Sequence, residues 1–149
     1  MKELKQRSVC PISCTLDFFG DKWSFLILRD MMFSDKVTFG DFLASSENIA
    51  SNILTDRLKG LEASGFIFKH YVAGKARVGY SLTERGISLL PMVMEFLKWG
   101  VSQGFLGVDP AGMRYSATNS TKVIKKTTAK LLEKLALQRA EEVERMQEV

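Results

Sequence analysis

The chain has 149 residues, 46% apolar and 26% charged, with a formal net charge of +4 and a pI near 9.1. That length holds one domain with a sizeable core and an appended element, and the composition is that of a globular protein rather than a disordered one. No apolar run nears the roughly 18 residues of a membrane span, and the N-terminal MKELKQRSVCPISC carries charge without an apolar signal-peptide core behind it, so the expected location is the cytoplasm.

Residues 1–9 are polar. From about Ser13 to Phe33 the pattern is helical, with Leu16, Phe19, Trp23, Leu26, Ile27 and Met31 recurring mostly at three- and four-residue steps and Gly20 interrupting. SDKV is a loop. Thr38 is a candidate N-cap with Asp41 as its capping-box partner, opening a short helix from Phe39 to Ala44. SSEN is a turn. A second helix starts near Ala50 and ends at Gly65, a C′ glycine, with Leu54, Leu58 and Leu61 on one face. Two strand-like runs follow, FIFKHYV (66–72) and ARVGYSL (76–82), joined by Ala73-Gly74-Lys75 as a hairpin. Thr83 caps the next helix, which Pro91 should kink or split. Residues 108–119 fall in a stretch rich in glycine and read as a linker. Residues 120–149 read as a long charged helix with seven basic and five acidic residues.

Helix, short helix, turn, helix, hairpin, helix is the order of a winged helix-turn-helix. The expected fold is therefore mainly α with a small β-hairpin wing: residues 1–107 form the DNA-binding and dimerisation domain, 108–119 the linker and 120–149 an extra C-terminal helix. The major groove of B-DNA, about 12 Å wide, admits one helix whose outer face is short and polar near its N-terminus. Ser51, Asn52 and Thr55 are short and polar at that end of the second helix, and Asn is the natural bidentate partner of adenine. Asp56 could accept from a cytosine amine. Arg57 and Lys59 lie further along for backbone phosphates, and Lys75 and Arg77 sit at the hairpin tip, where a wing reaches the flanking backbone. Residues 55–86 hold six positive against three negative side chains. The competing reading takes the same polar face as solvated surface and the chain as a winged-helix protein-interaction module.

Four ordered stretches resemble one family. CPISCTLDFFGDKWSFLILRDM is similar to the opening of HxlR-type regulators, with Cys10-Pro11 and then Gly20-Asp21-Lys22-Trp23; TFGDFL resembles the family's second helix; SNILTDRLKGLEASGFI its recognition helix and exit; YSLTERGISLLP its wing strand and following helix. The resemblance spans roughly residues 9–103. It implies a homodimeric, MarR-like winged-helix transcription factor that binds double-stranded DNA, with Ser51, Asn52, Thr55 and Arg57 at the DNA. It implies that the first helix and the helix after the wing build the dimer. Cys10 matches a position that serves some members as a thiol sensor of oxidants or electrophiles, and related dimers often hold a small-molecule effector between their helices. Where family wings often carry prolines, this chain has Gly74-Lys75-Ala76.

Other chemistry is weakly represented. Two cysteines without a histidine cluster make no zinc site, and Cys14 reads as core packing. His70, the single histidine, lacks the partners of a metal or catalytic site. With no glycine-rich phosphate loop and no nucleophile–base signature, neither a cofactor nor an enzyme is expected. The C-terminal helix has two readings: coiled-coil-like support of the dimer through Ile124, Thr128, Leu131 and Leu135, which is the expectation, or a solvated tail that docks elsewhere.

Overall fold

A computed structural model gives the fold of residues 8–71, 77–105 and 120–147. The elements are α1 (Pro11–Phe19), α2 (Lys22–Phe33), α3 (Phe39–Leu43), α4 (Ser51–Ala63), β1 (Ile67–Tyr71), β2 (Val78–Leu82), α5 (Glu84–Ile87), α6 (Leu90–Ser102) and α7 (Ser120–Gln147). The hairpin turn at Ala73-Gly74-Lys75 and the linker at 108–119 lie outside the described residues.

Where one interrupted helix was expected between Ser13 and Phe33, there are two. Pro11 opens α1, its missing N–H falling where no intrahelical partner exists. Asp21 then starts α2 by accepting hydrogen bonds from the backbone N–H groups of Trp23 and Ser24, each at 3.0 Å, and from the Ser24 hydroxyl at 2.7 Å. A carboxylate N-cap directly after a glycine restarts the helix in a new direction.

The other local signals act as read. Thr38 and Asp41 form a reciprocal capping box at α3. Asn48, in the turn before α4, takes a left-handed φ of 54°. Gly65, with φ 73°, closes α4: its N–H donates to the Glu62 carbonyl, and that of Phe66 to the Leu61 carbonyl. Two of the carbonyls left open at the helix end are thereby satisfied. β1 and β2 pair antiparallel with Ile67 opposite Leu82 and Tyr71 opposite Val78. Tyr80 N–H donates to the Val37 carbonyl at 2.8 Å, which ties the hairpin to the loop before α3. Thr83 caps α5, and Pro91 stands at the start of α6, so the expected split occurs there.

One core joins these elements. Leu54, Leu58 and Leu61 of α4 are buried with Leu28 of α2, Phe42 of α3, Ile67 of β1 and Leu90 of α6. Each such side chain contributes roughly 1.5–3 kcal/mol on burial. Beneath the turn between α3 and α4 lies a polar network. Asp30 is 2% exposed, and it accepts from Lys36 Nζ at 2.6 Å, Ser45 Oγ at 2.8 Å and Arg29 Nη2 at 2.6 Å. Arg29 Nη1 reaches Glu47 at 2.6 Å and holds that carboxyl down at about 2. A buried carboxylate is tolerated because every lone pair has a donor.

The C-terminal helix also packs on its own chain. Its stripe is used within the chain: Leu131 and Leu135 are buried in the common core, with Ile124 packed against it. Lys130 and Lys134 both reach Asp35 at 3.0 Å, and Arg139 reaches Glu84 at 2.9 Å. Leu132, Leu137, Val143 and Met146 stay exposed. Among the described residues no helix is long and apolar enough to cross a membrane.

Candidate nucleic-acid interface

α4 has two faces with different fates. Its leucine face is sealed in the core, which fixes the helix without help from its outer face. On that outer face Ser51, Asn52, Thr55, Asp56 and Lys59 are all exposed, and the structure brings these five together. The side chains at the N-terminal end are short, so a duplex can approach the backbone there. The Thr55 hydroxyl donates to the Ser51 carbonyl at 2.8 Å, leaving its oxygen free to accept. The Asn52 side chain makes no hydrogen bond among those recorded for the described residues, so its amide keeps both donor and acceptor capacity.

Arg57 is half-exposed and lies between two carboxylates. Its Nε lies 3.4 Å from Asp21 Oδ1, without hydrogen-bond geometry, and its Nη2 lies 3.6 Å from Asp56. The guanidinium therefore sits between the carboxylate that starts α2 and the one beside it on α4. It couples the Gly20-Asp21-Lys22-Trp23 segment to the helix, and it screens the Asp56 charge. Sequence spacing could not show this, because Asp21 and Arg57 are brought together only by the packing of α2 on α4.

Arg77 is exposed just before β2. Lys75, its expected companion at the wing tip, lies outside the described residues. Lys69 is exposed on β1 and pairs with Glu62 at 2.7 Å, so that strand's cation faces the end of α4. His70 is buried, and its Nε2 is 2.9 Å from Ser81 Oγ across the hairpin. It serves the packing of the wing.

Cys10 is exposed and occupies the N-cap of α1, with its N–H donating to Ser8 Oγ at 3.0 Å. Cys14 is half-buried, and its thiol donates to the Ser8 carbonyl at 3.2 Å. α1 exposes Ile12 and Leu16, and α6 exposes Phe96 and Trp99 at 62% and 63%. These are large apolar side chains left in water at one end of the fold's order and at the other. Among the described residues no cluster of three or more histidine, cysteine or carboxylate side chains could hold a metal ion.

The residues that sequence reasoning passed over are Asp21, Asp30, Lys36, Ser45 and Glu47. Asp21 starts α2, and the other four form the polar network beneath the turn before α4. Asp30 carried a signal, a lone carboxylate in an apolar helix, but its partners come from the loop and turn that follow.

Residues 18–106 match the family model of the HxlR-like helix-turn-helix. The chain is 32% identical over 105 residues to the HTH-type transcriptional regulator YdzF of Bacillus subtilis (strain 168), a match spanning 70% of this chain and 96% of that protein. Among solved structures, PA1607 superimposes with a TM-score of 0.62 at 32% identity, over 76% of this chain and 78% of its own. The redox regulator HypR in its reduced form superimposes with a TM-score of 0.56 at 35% identity, over 63% of this chain and 93% of its own.

Proposed function

The chain belongs to the HxlR-like helix-turn-helix family, and from that premise we propose that this transcriptional regulator binds an inverted DNA repeat as a homodimer, reading bases with the outer face of α4. The observation that carries the proposal is the exposed Ser51–Asn52–Thr55 patch on a helix whose opposite face is fully buried. Asn52 and Thr55 meet base edges, Ser51 meets phosphate or base at the helix start, and Asp56 accepts from a cytosine amine. Lys59, Lys75 and Arg77 bind phosphates, the last two from the wing. Arg57 acts through Asp21 and Asp56 as a positioning residue.

The exposed Ile12, Leu16, Phe96 and Trp99 support a dimer built from α1 and α6. Two half-sites would lie about one helical turn, roughly 34–36 Å, apart. Oxidation at the exposed Cys10, or a small ligand between the dimer helices, would change the angle between the two recognition helices and release the DNA. The likeness to HypR, a redox regulator by its own description, supports the first of these.

The test is to incubate the reduced protein with sheared DNA from its own genome and sequence what is retained. The expected result is enrichment of an inverted repeat, lost on oxidation in the wild type and kept in Cys10→Ser. Retention without sequence preference, or no retention, would favour an interaction module instead.

A further inference from the structure

The family match ends at residue 106, yet the chain continues into a 28-residue helix that lies against the wing. Leu131, Leu135 and Gln138 share a crevice with Tyr80, Ser81 and Leu82 of β2. At its far end Arg145 Nη1 donates to the Tyr71 carbonyl at 3.3 Å, and the guanidinium stands 5.9 Å from the centre of the Tyr71 ring. Tyr71 is the last residue of β1 before the wing turn. At its near end Lys130 and Lys134 hold Asp35, in the loop between α2 and α3, and in between Arg139 holds Glu84 of α5.

A two-stranded hairpin is marginally stable in water unless it packs on something. The residues between β1 and β2, Val72 to Arg77, include no proline. We infer that α7 is a brace that sets the position of the wing relative to the recognition helix, with Arg145 as the positioning residue at the wing end and the Lys130–Lys134–Asp35 pairs as the anchor on the helix-turn-helix. This rests on the reading of the wing as a DNA contact for its consequence in binding, though not for its consequence in the free protein.

The contacts predict where the brace acts. Leu131 and Leu135 fix α7 to the body, so the wing inherits the body's rigidity through Arg145. Without Arg145 the outer ends of β1 and β2 open more often, while α4, held by its own leucines, does not change. In binding, a loosened wing loses its phosphate contact on every sequence alike, and base preference, set by α4, stays.

The experiment uses the full chain as Arg145→Ala and as Leu131→Lys/Leu135→Lys. Hydrogen exchange is followed without DNA, and binding to a DNA fragment retained by the wild type is followed against salt. The expected result for Arg145→Ala is exchange about three- to fivefold faster at the outer ends of β1 and β2, the factor by which one surface contact shifts a local opening, with α4 amides unchanged. The plot of log affinity against log salt should flatten by about one unit with base preference intact. Unchanged strand exchange in Arg145→Ala overturns the brace, and this variant decides the matter if the leucine variant does not fold. Faster strand exchange with an unchanged salt slope keeps the brace and removes the wing from the DNA. A wild type that binds no DNA sinks the functional reading and leaves the exchange result standing.

Discussion

α4 and α7 are both amphipathic helices, but α4 buries three leucines in 13 residues at 0–3% exposure, whereas α7 buries two in 28 and completes its attachment with exposed ion pairs. The first kind of attachment is strong, insensitive to salt and independent of the helix's outer face. The second is weak in each part, since exposed pairs contribute about 0–1 kcal/mol. A helix fixed wholly from behind can present any chemistry in front, and this is why the outer face of α4 is free to be short and polar. A helix held by a few contacts can instead adjust what it touches.

That contrast can be tested by weakening each side in turn. The largest effect belongs to Leu58→Ala, at the centre of the α4 contact: chemical denaturation should show a loss of about 3 kcal/mol in global stability, and a loss below about 1 kcal/mol would mean that α4 is not held as described. Leu135→Ala should cost less, about 2 kcal/mol, at the low end for a buried leucine, and the cost should be felt locally. Hydrogen exchange should quicken more along α7 than along α4.

Next comes acidity. The Glu47 carboxyl, hydrogen-bonded by Arg29, is held at about 2 against an ordinary 4.5. Its folded pKa is depressed, so its contribution is fully present above pH 4.5 and disappears as pH falls towards 2. The stability difference between the wild type and Glu47→Gln should therefore shrink across that window, and a constant difference would show that the pair with Arg29 does not form. The smallest effect is expected for Lys130→Ala, whose partner Asp35 keeps Lys134: a change of a few tenths of a kcal/mol in thermal unfolding, and less at high salt.

The fold was legible where short-range chemistry decides it. The capping box of Thr38 and Asp41, the left-handed Gly65 and the leucine spacing of α4 each name their own structure within a few residues. Asp21 could have been read as an N-cap, since it directly follows the glycine at which α1 ends. Distant partners were not legible. Nothing local says that Arg57 turns to Asp21, or that Asp30 collects Lys36 and Ser45. The stripe on α7 was visible, but that it packs on its own chain depends on a surface formed by α5, α6 and β2, which no local pattern describes. For the interface, residue type and position along α4 singled out Ser51, Asn52 and Thr55, and the structure adds that they are exposed together, with Arg57 half-exposed beside two carboxylates.

The central claim is that the outer face of α4 reads base edges, and Asn52→Ala tests it most directly. Affinity of the wild type and the variant should be measured on the retained inverted repeat, on single-base-pair substitutions of it and on random DNA. The account predicts a loss of about 1–3 kcal/mol on the repeat, relaxed preference at one base pair in each half-site, and no change on random DNA. An equal loss on random DNA would contradict it, since Asn52 would then be holding backbone rather than reading bases.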